Sequence, residues 1–386
     1  MWRHVAANAL TFLIVALFLL VGAVSWGAKQ YRVAGPLEQA ICLKVPRGGN
    51  MDRLAADLAE KGAISSEFIF EMGSDYSGKS DALKFGSYRI PEQSSMEAIV
   101  DIVTQSGRNT CGTEVIYRIG INAAEIQVRE LDPVSNDFEE LVRFDPIEGE
   151  APDDYTRVRE ATDTTYRVTL AEGVTSWQVA YALSEFDALD ANVSDTPAEG
   201  TLAPDSYDIR PGEQVSDVLA RMQARQEAIL AEAWENRVDG LPVNSPEEAL
   251  ILASLIEKET GVPTERRQVA SVFVNRLNRG MRLQTDPAVI YGITKGEGIL
   301  GRGLRQSELR AETPWNTYVI PALPPTPIAN PGRASIEAAL NPDTTEYIFF
   351  VADGTGGHAF ATNLDDHNRN VARWREIEAE SANNDG

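Results

Sequence analysis

The feature that most limits the fold is an uncharged apolar segment near the N-terminus. Residues 5–28 contain no charged side chain, and about 20 apolar residues suffice for a helix to cross the hydrocarbon core of a bilayer. Trp2 and Trp26 lie near its ends, where tryptophan favours the membrane–water interface. A cleaved signal peptide is the alternative, but its apolar run is usually about 7 to 15 residues long and ends at an A-x-A-like site, which this sequence lacks. The segment therefore predicts a membrane anchor over residues 1–28.

A second apolar segment, in the C-terminal half, predicts a buried helix. Ser245 occupies the position of an N-cap, Pro246 the first helical position, and Glu248 the third position after the serine. Together they form the pattern of a capping box. Gly261 and Pro263 follow the apolar residues and predict the end of the helix.

Two glutamates fall in the last turn of this predicted helix, where the helix dipole disfavours negative charge. Glu259 follows Leu252, Leu255 and Ile256 at helical spacings and continues the most apolar stripe, whereas Glu257 lies on a face of smaller residues. Desolvation should raise the pKa of Glu259 towards neutrality, which suits a general acid. The alternative is a solvated helix end at which Glu259 pairs with a nearby lysine or arginine.

Composition excludes several other classes of function. The formal net charge of -23 argues against a nucleic-acid surface. The three histidines, His4, His358 and His367, and the two cysteines show no metal-ligand spacing. The sequence therefore predicts no metal site and no nucleic-acid partner, and it leaves His358 and His367 as groups that could support another catalytic residue.

The predicted helix lies within a long series of ordered motifs. The motifs ASLIEKET, ER, VASVFVNRL, GMRLQTDP and IYG occur at residues 253–260, 265–266, 269–277, 280–287 and 290–292. The motifs EGTLAPDSY, NTYVIPALPP and FVADGTGGHAFATNLDDHN occur at residues 199–207, 316–325 and 350–368. This series resembles the YceG-like family of endolytic murein transglycosylases over about residues 170–370. The catalytic glutamate of that family corresponds to Glu259.

The resemblance implies a lytic transglycosylase that needs one carboxyl group and no cofactor. Glu259 would protonate the glycosidic oxygen between N-acetylmuramic acid and N-acetylglucosamine. It would then accept the proton of the muramoyl C6 hydroxyl as a 1,6-anhydro ring closes. Ordinary glycosidases instead use two carboxylates and a water molecule.

Two other functions stay open at this point. The first is a hydrolytic muramidase that uses Glu259, Asp286 and water. The second is a non-enzymatic membrane scaffold that binds glycan and holds cell-wall synthases.

Six residues after the predicted helix are candidate contacts for the glycan, because they offer amide, hydroxyl, carboxylate and aromatic groups. They are Gln284, Thr285, Asp286, Tyr291, Asn316 and Tyr318. Each also has an alternative role in a turn, a helix cap or side-chain packing. Asp286 is the nearest candidate for a second carboxylate.

The resemblance also implies a location and partners. It places the N-terminus in the cytoplasm and the body in the periplasm, anchored in the inner membrane by a single span. The substrate would be nascent peptidoglycan strands, and membrane-bound peptidoglycan synthases would be partners. In that compartment Cys42 and Cys111 could form a disulfide, although two unrelated buried thiols are the alternative.

The whole pattern predicts an α+β protein. Four strings, which begin with LKVPRGG, YRIPEQS, VTLAEGV and YDIRPGE, each run from a strand through a turn into an amphipathic helix. Residues 29–106, which contain the first two strings, resemble the LysM-like βα module of the family. Residues 107–165 are predicted to be an inserted β-rich segment with a flexible acidic loop. Residues 166–375 form the predicted α+β catalytic domain with a helical centre, and residues 376–386 a flexible tail.

Overall fold

The structure is a computed structural model that describes residues 2–105, 110–159, 161, 163–191 and 195–384. The chain divides into two compact units. The first unit comprises Met1–Val115, Gln127–Arg143 and Ala151–Thr165, and the second comprises Ile116–Ile126, Phe144–Glu150 and Tyr166–Gly386.

The first unit combines helices with a short antiparallel sheet. Its elements up to residue 105 are α1 (Trp2–Arg32), β1 (Ile41–Val45), α2 (Met51–Glu60), α3 (Glu67–Tyr76), β2 (Gly86–Ile90) and α4 (Met96–Gln105). Strand β1 pairs antiparallel with β2, so that Leu43 lies opposite Tyr88, and both are fully buried. The strand–helix pattern predicted for the first two strings is confirmed, whereas the relation to LysM modules stays a prediction. The predicted boundary at residue 106 lies outside the described residues.

Helix α1 extends further than the predicted anchor. It is the one helix among the described residues that is long and apolar enough to cross a membrane, and the stretch that qualifies is Leu10–Arg32. Its last turn continues past Ala28, and Tyr31 is buried in the core of the first unit. The boundary predicted at residue 28 therefore falls inside a helix, because the tyrosine ring packs against Gly73 of α3.

The two cysteines are joined in a disulfide. Cys42 lies on β1 and Cys111 shortly before the next strand, with a Cα–Cα distance of 5.6 Å. Of the two alternatives that the sequence left open, the structure has the disulfide.

The segment predicted as a β-rich insertion does form strands. Its elements are β3 (Thr113–Ile119), β4 (Ala124–Leu131), β5 (Phe138–Phe144) and α5 (Asp153–Arg159). They are followed by β6 (Thr165–Leu170). With β8 (Ser206–Ile209) these strands form a five-stranded sheet in the order β5-β4-β3-β6-β8. Part of the segment predicted as a flexible acidic loop is helix α5 instead. Tyr155 and Val158 lie on one face of that helix and are buried, which stabilises it.

The second unit is built around a buried helix. Its elements before that helix are α6 (Ser176–Ser184), β7 (Leu189–Asp190), β8 (Ser206–Ile209), β9 (Glu213–Gln214) and α7 (Val215–Glu235). The remaining elements are α8 (Pro246–Glu259), α9 (Arg266–Asn278), α10 (Asp286–Thr294), α11 (Gln306–Leu309), α12 (Arg333–Leu340), β10 (Phe349–Ala352), β11 (His358–Ala361) and α13 (Leu364–Asn384). Helix α8 packs against α7, α9 and α12, which agrees with the predicted helical centre. The mixed α+β class is confirmed.

The ends of α8 show how local sequence defines the helix. The Ser245 side chain accepts a hydrogen bond from the Glu248 backbone N–H, as predicted, at 3.2 Å. The Glu248 carboxylate, however, accepts from Asn244, one residue before the cap, at 2.7 Å. At the other end Thr260 is extended, and its hydroxyl accepts from the Val262 N–H at 3.0 Å. This local hydrogen bond satisfies a backbone donor where the chain leaves the helix.

The C-terminal segment differs from the prediction. Residues 376–384, predicted to be a flexible tail, continue helix α13 to Asn384. The half-buried side chains of Trp374 and Ile377 lie on one face of this helix and line a cavity of the second unit. That burial favours a helix where polar composition alone suggests a disordered end.

The disulfide leads to a first prediction. Without reductant, alkylation should leave Cys42 and Cys111 unmodified, and digestion should release one peptide pair linked through them. Reductant should lower the unfolding temperature of the full-length protein in detergent, because a cross-link restricts the unfolded chain. A Cys42→Ala/Cys111→Ala variant, which has no cross-link, should show no such shift. Alkylated thiols at both positions in the unreduced protein would contradict this pairing.

Candidate active site

Glu259 is the last residue of α8 and lies where the buried helix reaches a cavity. Leu252, Leu255 and Ile256, whose stripe it continues, have no exposed surface. Glu259 itself is half-buried by solvent accessibility. Desolvation by burial is the largest cause that raises the pKa of Glu259, and the negative charge of Asp286 adds to it. Together they bring this pKa to about 8. At neutral pH its carboxyl group is therefore mostly protonated and can donate a proton.

Arg276 opposes this shift in pKa only in part. The side chain is buried on α9, with Nε donating to the Ile348 carbonyl and Nη1 to the Leu283 carbonyl, both at 2.6 Å. Its guanidinium also lies over the Phe349 ring, 5.4 Å from the centroid. The positive charge is thus directed at backbone oxygens. It lowers the pKa of Glu259 by less than desolvation and Asp286 raise it.

Asp286 and Tyr318 form a polar pair beside the glutamate. The Tyr318 hydroxyl donates to Asp286 Oδ1 at 2.7 Å. Burial, the bond to Asp286 and the charges of Asp286 and Glu259 raise the pKa of Tyr318, so the phenol keeps its proton. Asp286 is exposed at the start of α10. The charge of Asp286 acts on the pKa of Glu259, and its role as a second carboxylate stays a prediction.

Three other predicted contacts belong to the loop that carries this pair. Thr285 is buried, and its backbone N–H donates to Thr317 Oγ1 at 2.9 Å. Asn316 is fully buried, and its amide donates to backbone carbonyls, that of Ala311 at 2.7 Å. Gln284 is exposed and has a φ of 55°. The structure gives Thr285 and Asn316 a role inside the loop rather than at a substrate surface.

Tyr291 lies in a different cluster. Its hydroxyl is hydrogen-bonded to the Glu199 carboxyl, and its ring centroid is 5.9 Å from that of Trp315. Burial raises the pKa of Glu199, whose carboxylate also accepts from the Ser176 N–H at 2.8 Å. Tyr291 therefore has the packing role that the sequence left open as the alternative to a glycan contact, together with a hydrogen bond to Glu199.

The three charged side chains of the E-K-E-T motif, Glu257, Lys258 and Glu259, contact different neighbours. Glu257 accepts a hydrogen bond from the Gly332 backbone N–H at 3.0 Å. Lys258 donates to the Gly173 carbonyl at 3.2 Å, and burial lowers the pKa of its amine. Glu257 and Lys258 thus hold loops of the second unit, whereas Glu259 lines the cavity. The catalytic role predicted for Glu259 stays a prediction.

The cavity at Glu259 has a volume of about 370 Å³. Its wall comes from the end of α8, the turn between β10 and β11, and helix α13. The lining residues are Glu259, Thr260, Gly261, Ala352, Gly354, Gly356, Gly357, His358, Trp374 and Ile377. Sequence analysis missed Trp374 and left His358 without a defined role, although the glycine-rich GTGGH run could have indicated a backbone close to another group.

His358 is held in one orientation by Glu265. The ring Nδ1 lies 2.7 Å from one oxygen of Glu265, and the His358 backbone N–H donates to the other at 3.0 Å. Because a carboxylate can only accept, Nδ1 is the donor in the ring contact. A Cβ atom at Gly357 would lie 2.6 Å from the same carboxylate, so glycine is required for this approach. His358 thus presents a fixed imidazole to the cavity that Glu259 also lines.

No candidate metal site accompanies these groups in the described ranges from 2 to 384. Within those residues, no three His, Cys, Asp or Glu side chains are grouped in a way that could hold a metal ion.

The raised pKa of Glu259 predicts how stability changes with pH. The folded-state pKa lies above the ordinary value of 4.5, so the favourable protonated form is lost as pH rises through about 8. Glutamine stays neutral at every pH. Glu259→Gln should therefore raise the unfolding temperature relative to wild type more at pH 9 than at pH 5. An equal gain for Glu259→Gln at both pH values would contradict the raised pKa.

Comparison with known proteins shows which proteins this chain is similar to. A family model described as the YceG-like family matches residues 148–373. A protein of Bacillus subtilis named endolytic murein transglycosylase is 28% identical over 328 residues, which cover 85% of this chain and 82% of that protein. A protein of the same name from Streptococcus pneumoniae D39 is 26% identical over 96% of this chain, which spans 65% of the pneumococcal protein's length. A yceG-like protein structure from Listeria monocytogenes has a TM-score of 0.47 at 22% identity, covering 86% of this chain and 98% of its own. The family model covers more than half of the chain, and the chain therefore belongs to the YceG-like family.

Proposed function

We propose that this protein is an endolytic murein transglycosylase that cleaves peptidoglycan glycan strands, with Glu259 as its acid and base. The observation that carries the proposal is the Glu259 carboxyl, which stays protonated near neutral pH and lines an open cavity. The family membership and the names of the bacillar and pneumococcal relatives support it.

The reaction follows from a single carboxyl group. Protonated Glu259 donates its proton to the glycosidic oxygen between N-acetylmuramic acid and N-acetylglucosamine, and the C1–O bond breaks. The muramoyl C6 oxygen attacks C1, and the Glu259 carboxylate accepts the C6 hydroxyl proton. The products are a free C4 hydroxyl on N-acetylglucosamine and a 1,6-anhydromuramoyl end. Glu259 is protonated again, and no water is consumed.

Asp286 fits a supporting role in this scheme. Its negative charge raises the pKa of Glu259 before the proton is donated. The same charge favours the positive charge that develops at the anomeric carbon when the bond breaks. The bond from Tyr318 holds the Asp286 carboxylate in place. A hydrolytic muramidase is the alternative, in which Asp286 would activate a water molecule instead.

The cavity gives the substrate two further contacts. The half-buried Trp374 offers an aromatic face to a sugar ring, and His358 offers the free side of its imidazole. Asp286, Tyr318 and the exposed Gln284 remain proposed substrate contacts. Asn316 and Thr285 would act indirectly, by holding the loop that carries Asp286 and Tyr318.

The anchor and the disulfide support a proposed cellular location for this protein. Helix α1 is compatible with a single membrane span, and a disulfide between Cys42 and Cys111 suits an oxidising compartment such as the periplasm. We infer an inner-membrane protein with its body in the periplasm, working on nascent strands beside membrane-bound peptidoglycan synthases. A non-enzymatic glycan-binding scaffold would share the anchor but would have no need of an acid at the cavity.

The proposal predicts products that mass spectrometry can identify. Full-length protein incubated with glycan strands should release fragments that are lighter than hydrolytic products by one water. Glu259→Gln should lower the rate by at least about 100-fold, because a positioned general acid contributes roughly 10²–10⁴. Glu257→Gln should stay active. The wild-type rate should fall above about pH 8 as the acid form of Glu259 is lost.

Each other outcome points to a named alternative. Products with hydrolytic mass, abolished by Asp286→Asn, would favour the muramidase. Binding of strands without cleavage by wild type or Glu259→Gln would favour the scaffold.

The cavity contacts predict a separate kinetic effect. Trp374→Ala should raise KM by at least about tenfold, which corresponds to ~1.4 kcal/mol of binding free energy. Steady-state cleavage of a defined strand would measure it. Arg373→Ala, which removes an exposed neighbour on the same helix, is the control and should leave KM unchanged. An unchanged KM for Trp374→Ala would remove Trp374 from the substrate site.

A further inference from the structure

Helix α3 of the first unit carries an exposed apolar stripe. Phe68 is 69% exposed, Met72 55% and Tyr76 95%. They are spaced four residues apart and so lie on one face of the helix. Phe70 and Ser74, on the opposite face, are buried in the first unit. The packing of α3 is therefore satisfied on its inner side, and the stripe is extra apolar surface that folding of this unit does not use.

The same helix is packed directly against the end of α1. The Tyr31 ring lies so close to Gly73 of α3 that a Cβ atom there would be 2.3 Å from two ring carbons. One residue later, Arg32 forms an ion pair with Glu97 of α4 at 3.4 Å. Gly35 packs against the Ser94 carbonyl, again with no room for a Cβ atom. The apolar helix thus continues into the first unit without a flexible linker.

This contact defines the height of α3 above the membrane. The uncharged segment ends at Ala28, and Lys29 is the first charged residue after it. A helix rises about 1.5 Å per residue, so Tyr31 lies about 4.5 Å beyond the end of that segment. The headgroup layer on each side of the hydrocarbon core is about 5 to 7 Å thick. The point at which α3 touches Tyr31, at Gly73, therefore lies within this layer, a step that rests on the membrane anchor of the proposed function.

We propose that the Phe68–Met72–Tyr76 face of α3 is a membrane-contacting surface, which lies in the lipid interface beside the span formed by α1. Aromatic side chains favour this layer because it receives an apolar ring and a polar group together. Two attachments, the spanning helix and this face, would oppose tilting of the first unit relative to the bilayer. That unit would then stay close to the membrane surface.

The charge around the stripe indicates which lipids it fits. Glu67 and Asp75 are exposed on the same helix. Their negative charges repel the surface of an anionic bilayer. The attraction is therefore apolar, and zwitterionic lipids such as phosphatidylcholine should accept this face better than phosphatidylglycerol.

The test uses the full-length protein, with its disulfide intact, in phosphatidylcholine vesicles. A nitroxide label at Met72→Cys reports its surroundings through electron paramagnetic resonance, by its relative exposure to oxygen and to a water-soluble nickel chelate. We expect oxygen to be favoured and nickel to be excluded. A label at Asp52→Cys, on the exposed side of α2, is the matched control and should show the reverse.

A third label separates this inference from the anchor on which it rests. Val15→Cys lies on the exposed surface of α1 in the middle of the apolar segment. If Val15 is in hydrocarbon and Met72 is as open to nickel as Asp52, the anchor stands and the membrane-contacting surface is wrong. If the Val15 label is itself accessible to nickel, α1 is not a membrane anchor, and the membrane-contacting surface, which rests on that anchor, is also wrong. A Met72 label could also be shielded from both oxygen and nickel and become accessible when the protein is diluted in lipid. That result would assign the stripe to contact with a second copy of the chain and overturn the proposal.

A substitution gives an independent check. Phe68→Glu and Tyr76→Glu together should move the Met72 label towards the accessibility of the Asp52 control, because charge replaces the two aromatic contacts. Both side chains are exposed, so the first unit should keep its fold, and an unchanged accessibility would contradict the proposal. Replacement of phosphatidylcholine by phosphatidylglycerol should make the Met72 label of the otherwise unsubstituted protein more accessible to nickel. A lower accessibility to nickel would contradict the role given to Glu67 and Asp75.

Discussion

The burial of helix α8 is the constraint on which the site depends. Its residues from Ala249 to Ile256 are all buried, and α7, α9 and α12 surround it. A helix held in this way keeps its last residue partly buried. The Glu259 carboxyl must stay beside an apolar wall, at the end of a helix, where its charged form is penalised. Its acidity is thus a consequence of how the core is packed.

Two charged neighbours adjust this acidity in opposite directions. Arg276 carries a full positive charge, but its donors are directed at the carbonyls of Ile348 and Leu283, which limits its effect on Glu259. Asp286, by contrast, is exposed and held by Tyr318. The balance keeps Glu259 protonated near neutral pH, as a general acid must be. The pKa of about 8 is still low enough for the carboxylate to form in the second half of the proposed reaction.

Predictions made from neighbouring residues succeeded, and those that needed distant contacts were incomplete. Helical spacing favoured Glu259 over Glu257, and the structure directs the two side chains to different neighbours, with Glu257 bonded to the Gly332 N–H and Glu259 lining the cavity. Asn316 has the polar amide expected of a sugar contact, but the fold buries it among the carbonyls of its own loop. The tail after residue 375 has the composition of a disordered end, but it continues a helix that packs through Trp374 and Ile377. Composition cannot reveal a packing partner that lies far away in the sequence.

The sequence by itself determined the apolar N-terminal helix, the capped helix α8, the acidic candidate at its end and the motifs of the family. Each of these depends on residues within a few turns of one another, so local spacing and capping are enough to encode them. The tertiary structure alone decided that Tyr31 joins the core of the first unit and that Cys42 pairs with Cys111. It also brought His358 and Trp374 to the cavity at Glu259. These contacts join segments far apart in the chain, and their closeness depends on how the elements pack.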